Sequence, residues 1–263
     1  MVRKGLPIEM SRMSKLELVT KLYEIGAIKF GDFILKSGKK SPYYIDLRIL
    51  PSYPRILVEV GKIIGEIIEA SIDKPNRLCG IPMAGLAIAN IVGVEIDTPV
   101  LYTRKEPIIY IDLARKIRNL IQEGKYRQEE IQGVEKAINT IEELSGLKTH
   151  GITTYADGII QNGDRIGIVD DVITTADSKL EARNLIMLEA KRRNIKVSVT
   201  GVYVLIDREQ GGKEALQQER IPLYAAFTVT EIMNFLYEAG LIDSKKYETV
   251  MAYIVSEKAK VKR

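Results

Sequence analysis

The chain is expected to fold as an α/β protein, a parallel sheet core flanked by helices, and three observations predict it. Residues 165–169 and 197–206 are short runs of branched apolar side chains, the composition of strands buried on both faces. Between such runs lie amphipathic helical stretches; in 55–70, Ile56, Val60, Ile63, Ile64, Ile67 and Ile68 form one broad apolar stripe. The apolar runs end in charged residues rather than hairpin turns, namely Arg104 and Lys105, Asp170 and Asp171, and Asp207 and Arg208. In open α/β sheets that end is where ligands bind.

With 263 residues and 46% hydrophobic content, one large domain over 1–263 with a substantial insertion is expected. No apolar run reaches the length of a membrane span, and the first residues lack the apolar centre of a secretory leader. Cys79 is the single cysteine, which excludes an internal disulfide and fits a reducing, cytoplasmic setting. A net charge of +4 suits small anionic substrates but is too dilute for nucleic acid.

In chain order, a helix is expected over 15–25, closed by Gly26. In 27–48, Gly31, Gly38 and Pro42 punctuate two extended segments, which read as a hairpin-like hood. By themselves Lys36 is a solvated loop charge, and Tyr43 and Tyr44 are strand aromatics. After helix 55–70, residues 77–93 read as strand, a tight turn at Gly80, Ile81 and Pro82, and a helix beginning near Ala84. Such small-residue turns offer backbone N–H groups to an anion, although most only connect elements.

The next strand, 98–103, delivers Arg104 and Lys105. Residues 107–147 carry two helical stripes, one with Leu113, Ile117, Leu120 and Ile121, the other with Ile131, Val134, Ile138, Ile141 and Leu144. A helical hairpin is expected there. Its opposite charges nearly balance, which speaks against a nucleic-acid arm, and its unpaired apolar faces suit packing on a partner subunit. His150, the one histidine, follows it. Beyond 165–178 come a helix over 179–194, the strand 197–206, a strand over 222–228, helices 229–239 and 245–257, and a basic tail read as frayed.

Residues 165–178, RIGIVDDVITTADS, organise the rest. A buried strand runs into the paired acids Asp170 and Asp171, then into Thr174, Thr175, Ala176, Asp177 and Ser178. Hydroxyls and backbone N–H groups opening a helix suit a phosphate, with the helix dipole adding attraction. The acids then suit sugar hydroxyls or a cation. A phosphorylated sugar answers both demands.

IVDDVITTADS resembles the signature of type I phosphoribosyltransferases, in which paired acids and a small hydroxyl loop hold the ribose and 5′-phosphate of phosphoribosyl pyrophosphate (PRPP). FILKSG followed by SPYYIDLR at 33–48, and DREQGG at 207–212, resemble orotate phosphoribosyltransferases, including that domain of UMP synthases. The resemblance implies the type I phosphoribosyltransferase fold with a small N-terminal hood. It implies that Lys36 reaches the reacting centre, that Tyr43 and Tyr44 flank the pyrimidine, that Thr174 also borders it, and that Arg208 pairs with the orotate carboxylate. RKE at 104–106 and KTHG at 148–151 resemble the two halves of the family's lid, split by the insertion at 107–147, which is then expected to organise a dimer or restrain the lid. Arg104, Lys105, Lys148 and His150 are thereby implied to meet the diphosphate. Mg²⁺ is implied mainly on PRPP oxygens, without a dedicated protein cage, and so is a homodimer with lid residues shared between subunits.

Two departures stand out. Ala176 occupies a position where the family usually has glycine, so its Cβ is strained if the loop needs a positive φ. Ala84 stands where several relatives carry lysine. A phosphoribosyltransferase for another base should lack Arg208 and the hood; a non-catalytic, regulatory paralogue would tolerate Ala176 and a split lid.

Overall fold

The computed structural model describes residues 13–34, 38–104 and 154–261. The hairpin expected at 107–147 lies outside them.

Helix α1 (Lys15–Glu24) starts at Ser14, whose hydroxyl accepts the Glu17 N–H while the Glu17 carboxylate accepts the Ser14 N–H. That reciprocal cap leaves the Leu18, Val19 and Leu22 face to bury. Strands β1 (Ile28–Ile34) and β2 (Lys40–Ile45) form the antiparallel hood, with a register shift between Phe30 and Phe33. Gly31 sits in that shift at φ 151, a backbone conformation that disfavours a side chain. A 3₁₀ segment (Leu47–Ser52) leads into α2 (Pro54–Glu69), which buries Ile56, Val60, Ile63, Ile64 and Ile68.

The central sheet holds β3 (Arg77–Gly80), β4 (Val100–Thr103), β5 (Ala156–Asp157), β6 (Arg165–Ile173), β7 (Ser198–Asp207) and β8 (Leu223–Thr228). Their order is β5-β4-β3-β6-β7-β8, parallel throughout except for β5, which runs against β4. One apolar core lies between the sheet and α1, α2, α3 (Ala84–Glu95), α6 (Val229–Glu238) and α7 (Ser244–Val261). The other face packs on α4 (Asp177–Arg192) and α5 (Gly212–Gln218). Both faces being covered explains why the strands read as continuous apolar runs.

Four elements differ from expectation. Strand β6 continues through both acids to Ile173, because its ladder with β7 extends to the Ile173–Asp207 pair. Helix α7 runs on to Val261 instead of fraying, and its basic end is engaged: Lys258 pairs with Glu209 at 2.6 Å and Lys260 with the buried Glu257. The short β5 and α5 carry too few residues for a periodic signal.

Candidate active site

The site position follows from strand order. After β3 the chain moves outward to β4, then returns to place β6 on the other side of β3. The crevice of such a sheet opens at this reversal, beyond the carboxyl ends of the two strands. Two loops meet there. The Ile81 N–H donates to the Val169 carbonyl, tying the turn after β3 to the acid-bearing end of β6, and the Pro82–Met83 peptide is cis.

Asp170 is buried at the end of β6. Its Oδ2 accepts from the Lys179 ammonium at 2.6 Å, and its Oδ1 accepts the Asp171 N–H. The same ammonium donates to the Val172 carbonyl at 2.6 Å and to Ser178 Oγ at 3.3 Å. One buried lysine therefore closes the loop between β6 and α4 from within. Asp171 is only partly covered, and its Oδ1 accepts the Val172 N–H. Burial, and then the neighbouring Asp170 charge, push the Asp171 carboxyl up to about 7.

Thr174 and Ser178 are half-buried, Thr175 and Asp177 are exposed, and the Thr175 hydroxyl donates to Asp177 Oδ2 at 2.8 Å. Ala176 has φ −88 and is buried. No positive φ is needed, so its Cβ is unstrained and packs into the core beneath the loop. Asp177, in the first turn of α4, meets the favourable end of the helix dipole but adds a negative charge beside the loop.

Arg208 follows β7, one strand over. Its backbone N–H donates to the Ile173 carbonyl, which places it beside the acids. The guanidinium lies 4.8 Å from the centre of the Tyr43 ring, and Nε donates to the Tyr43 hydroxyl at 3.3 Å. Arg208 is buried, yet Nη2 has no hydrogen-bond partner among the described residues. A buried guanidinium N–H left free is costly, and a planar carboxylate would satisfy it. Of the two hood tyrosines, Tyr43 is fully buried beneath Arg208 and edge-on to Tyr253, whereas Tyr44 keeps exposed surface, stacked at a tilt on Phe33. Tyr44 is thus the one with a face to offer.

Glu209 holds the Arg208 loop in place. It adopts φ 57, a strained conformation for a non-glycine residue. Its carboxylate compensates by accepting from the Thr230 N–H and hydroxyl and from Lys258.

Arg104, at the end of β4, makes two parallel bonds to Asp157, Nε to Oδ2 at 2.5 Å and Nη2 to Oδ1 at 2.7 Å. Its N–H also donates to the Tyr155 carbonyl, and the Tyr155 N–H donates to Glu189. A diphosphate reaching Arg104 would meet a guanidinium already half neutralised. Lys36, Lys105, Lys148 and His150 lie outside the described residues.

Sequence reasoning passed over Lys179, Asp157 and Glu189. Lys179 alone left a signal: a cation in the first turn of a helix opposes the dipole and needs a nearby acid.

No family model matches the chain. It is 32% identical over 220 residues to the orotate phosphoribosyltransferase of Methanocaldococcus jannaschii, covering 84% of this chain and 97% of that one. It is 30% identical over 247 residues to the orotate phosphoribosyltransferase of Staphylothermus marinus, covering 92% and 95%. Against uridine 5′-monophosphate synthase of Bos taurus the identity is 30% over 237 residues, covering 90% of this chain but 40% of that longer protein. Among solved structures, Leishmania donovani UMP synthase superposes with a TM-score of 0.68 at 25% identity, over 93% of this chain and 43% of that one. Orotate phosphoribosyltransferase from Aeropyrum pernix superposes with a TM-score of 0.59 at 23% identity, over 86% and 99%, a likeness of fold.

Proposed function

Since the chain belongs to the orotate phosphoribosyltransferase family of pyrimidine biosynthesis, we propose that it joins orotate to PRPP, giving orotidine 5′-monophosphate and diphosphate, with the residues assigned below. The observation that carries the assignment is Arg208: a buried guanidinium with a free Nη2, held beside the acid-bearing end of β6. It receives the orotate carboxylate, and the ring lies toward Tyr44, with Thr174 at its edge and Tyr43 backing the arginine.

The paired acids take the ribose side. Asp171 faces the sugar hydroxyls and Asp170 supports it. The 5′-phosphate sits on the loop of Thr174, Thr175, Ala176, Asp177 and Ser178, whose backbone N–H groups open α4. The diphosphate lies over the turn after β3. Without a covalent nucleophile, the step depends on holding the orotate nitrogen in line with C1′ and on meeting the two charges as they separate. By resemblance, Lys36, Lys105, Lys148 and His150 supply the cations on the leaving side, together with Arg104.

Mg²⁺ would be carried mainly by PRPP oxygens, where it would neutralise the diphosphate. The reading includes a cytoplasmic homodimer, for which the exposed Met83 and Val94 provide apolar surface to a second copy.

The test follows orotate absorbance with PRPP and Mg²⁺. Arg208→Ala should raise the orotate KM roughly a hundredfold, the cost of losing a buried charge partner, with little change in the PRPP KM. Wild-type protein that binds PRPP without consuming orotate would overturn the reading.

A further inference from the structure

Resting on the phosphoribosyltransferase reading above, we propose that Lys179 is a positioning residue for PRPP: it pairs with Asp170 so that Asp171 alone is left to engage the ribose hydroxyls.

The geometry is specific to that task. Two adjacent carboxylates at a covered strand end repel one another, and a fixed cation beside them lowers the pH at which one takes up a proton. Lys179 supplies the cation from inside the fold. Its side chain is 4% exposed, and among the described residues it bonds to Asp170 Oδ2, the Val172 carbonyl and Ser178 Oγ. These three acceptors lie on both sides of the phosphate loop, so the lysine sets the charge of the acid pair and the loop's span together. Asp170 is trapped from the opposite side by the backbone at Gly85, where a Cβ would stand 2.6 Å from Asp170 Oδ1. Asp171 is less covered and adjacent to the opening.

Among the described residues the charges around Asp171 are few. Lys179 lowers its carboxyl pKa and Asp170 raises it. Arg48, from the 3₁₀ segment after the hood, lies within electrostatic reach but is engaged by Asp46 and Tyr44. Helix α3, packed on the other side, presents glycine and alanine there. Lys179 is therefore the cation whose removal should be felt.

The experiment measures PRPP binding with Mg²⁺ by calorimetry between pH 6 and 9, alongside steady-state kinetics, for wild type, Lys179→Met and Lys179→Arg. Methionine should move the acid limb of PRPP binding up by about one pH unit or more and weaken binding at pH 7 about tenfold. The orotate KM should stay within about twofold, and arginine should restore much of the shift. A folded Lys179→Met protein with the wild-type acid limb overturns the role.

If methionine prevents folding, ¹⁵N-lysine NMR of the wild type decides. Slowly exchanging Lys179 ammonium protons, before and after PRPP is added, support the role; fast exchange in the PRPP-bound protein overturns it. Because binding and exchange are read without turnover, a protein that binds PRPP but does not consume orotate defeats the orotate assignment while leaving the Lys179 result intact. One that binds no PRPP defeats both.

Discussion

Gly85 and Asp170 are packed so closely that a single methyl group does not fit between them. A Cβ at Gly85 would stand 2.6 Å from Asp170 Oδ1, 2.8 Å from the Val169 carbonyl and 2.9 Å from Asp170 Cα. Two of these neighbours are backbone atoms of a central strand and cannot move aside cheaply. The first helical turn after β3 and the acid-bearing end of β6 are one unit for this reason.

Gly85→Ala should therefore cost more than an ordinary surface change. Overpacking of this kind destabilises by about 1–3 kcal/mol, which for a chain of this length is a drop of several °C in Tm. The helix itself gains from alanine, so the loss comes from the clash alone. Because relief requires Asp170 to shift, kcat/KM for PRPP should fall about tenfold or more. Differential scanning calorimetry and the orotate assay read the two effects, and an unchanged kcat/KM would show that Asp170 is not pinned from this side.

The parts of this site readable from sequence are those written in local patterns. Branched apolar runs ending in charge identified β6 and β7, and small hydroxyl residues marked the turn from β6 into α4. Ala176 is a case where residue type misled about backbone: the loop turns into α4 at φ −88, within reach of any residue, and the methyl group fills the core. Pairings across the fold left no such trace. Arg104 and Asp157 are 53 residues apart in sequence, and Lys39 reaches Glu257 across 218. Neither partner has a periodicity that points to the other. The tail reads as frayed because its lysines read as solvated charge, whereas Glu209 across the fold and Glu257 one turn back on the same helix take them up.

Asp171 should make the protein's stability depend on pH in an unusual direction for a carboxylate. Its folded pKa is raised, to about 7, by burial and by Asp170. Folding therefore favours the protonated form, and the stability this contributes is complete in acid, below the ordinary Asp range, and is lost as pH rises through about 7. Asparagine mimics the protonated state and can keep the bond from the Val172 N–H. Asp171→Asn should match wild type in Tm near pH 4 and exceed it by several °C at pH 8.5, while losing PRPP-dependent turnover. Equal Tm values at both pH extremes would mean that Asp171 is solvated like a surface acid.

Glu189 makes the opposite case, and it bears on how the segment returning to the sheet at β5 is held. Its carboxylate, buried on α4, accepts from Arg192, Arg193 and the Tyr155 N–H. Burial alone would raise its pKa, but the bonds from Arg192, the Tyr155 backbone and Arg193 outweigh it and hold the group down at about 2. The stability it contributes is present above the ordinary Glu range and is lost as pH falls toward 2. Tyr155 in turn accepts from the Arg104 N–H, and Arg104 grips Asp157, so Glu189 anchors both β4 and β5 to α4. Glu189→Gln removes the charge while keeping the shape. Hydrogen exchange at neutral pH should speed up about tenfold or more at the Tyr155 and Arg104 amides, the effect of losing roughly 1.4 kcal/mol locally. Amides in β6 and β7 should be unaffected, since their ladder does not pass through this anchor. Uniform acceleration across the sheet would instead make Glu189 a residue of the global core, and unchanged exchange at Tyr155 would leave the Arg104–Asp157 pair holding the two strands by itself.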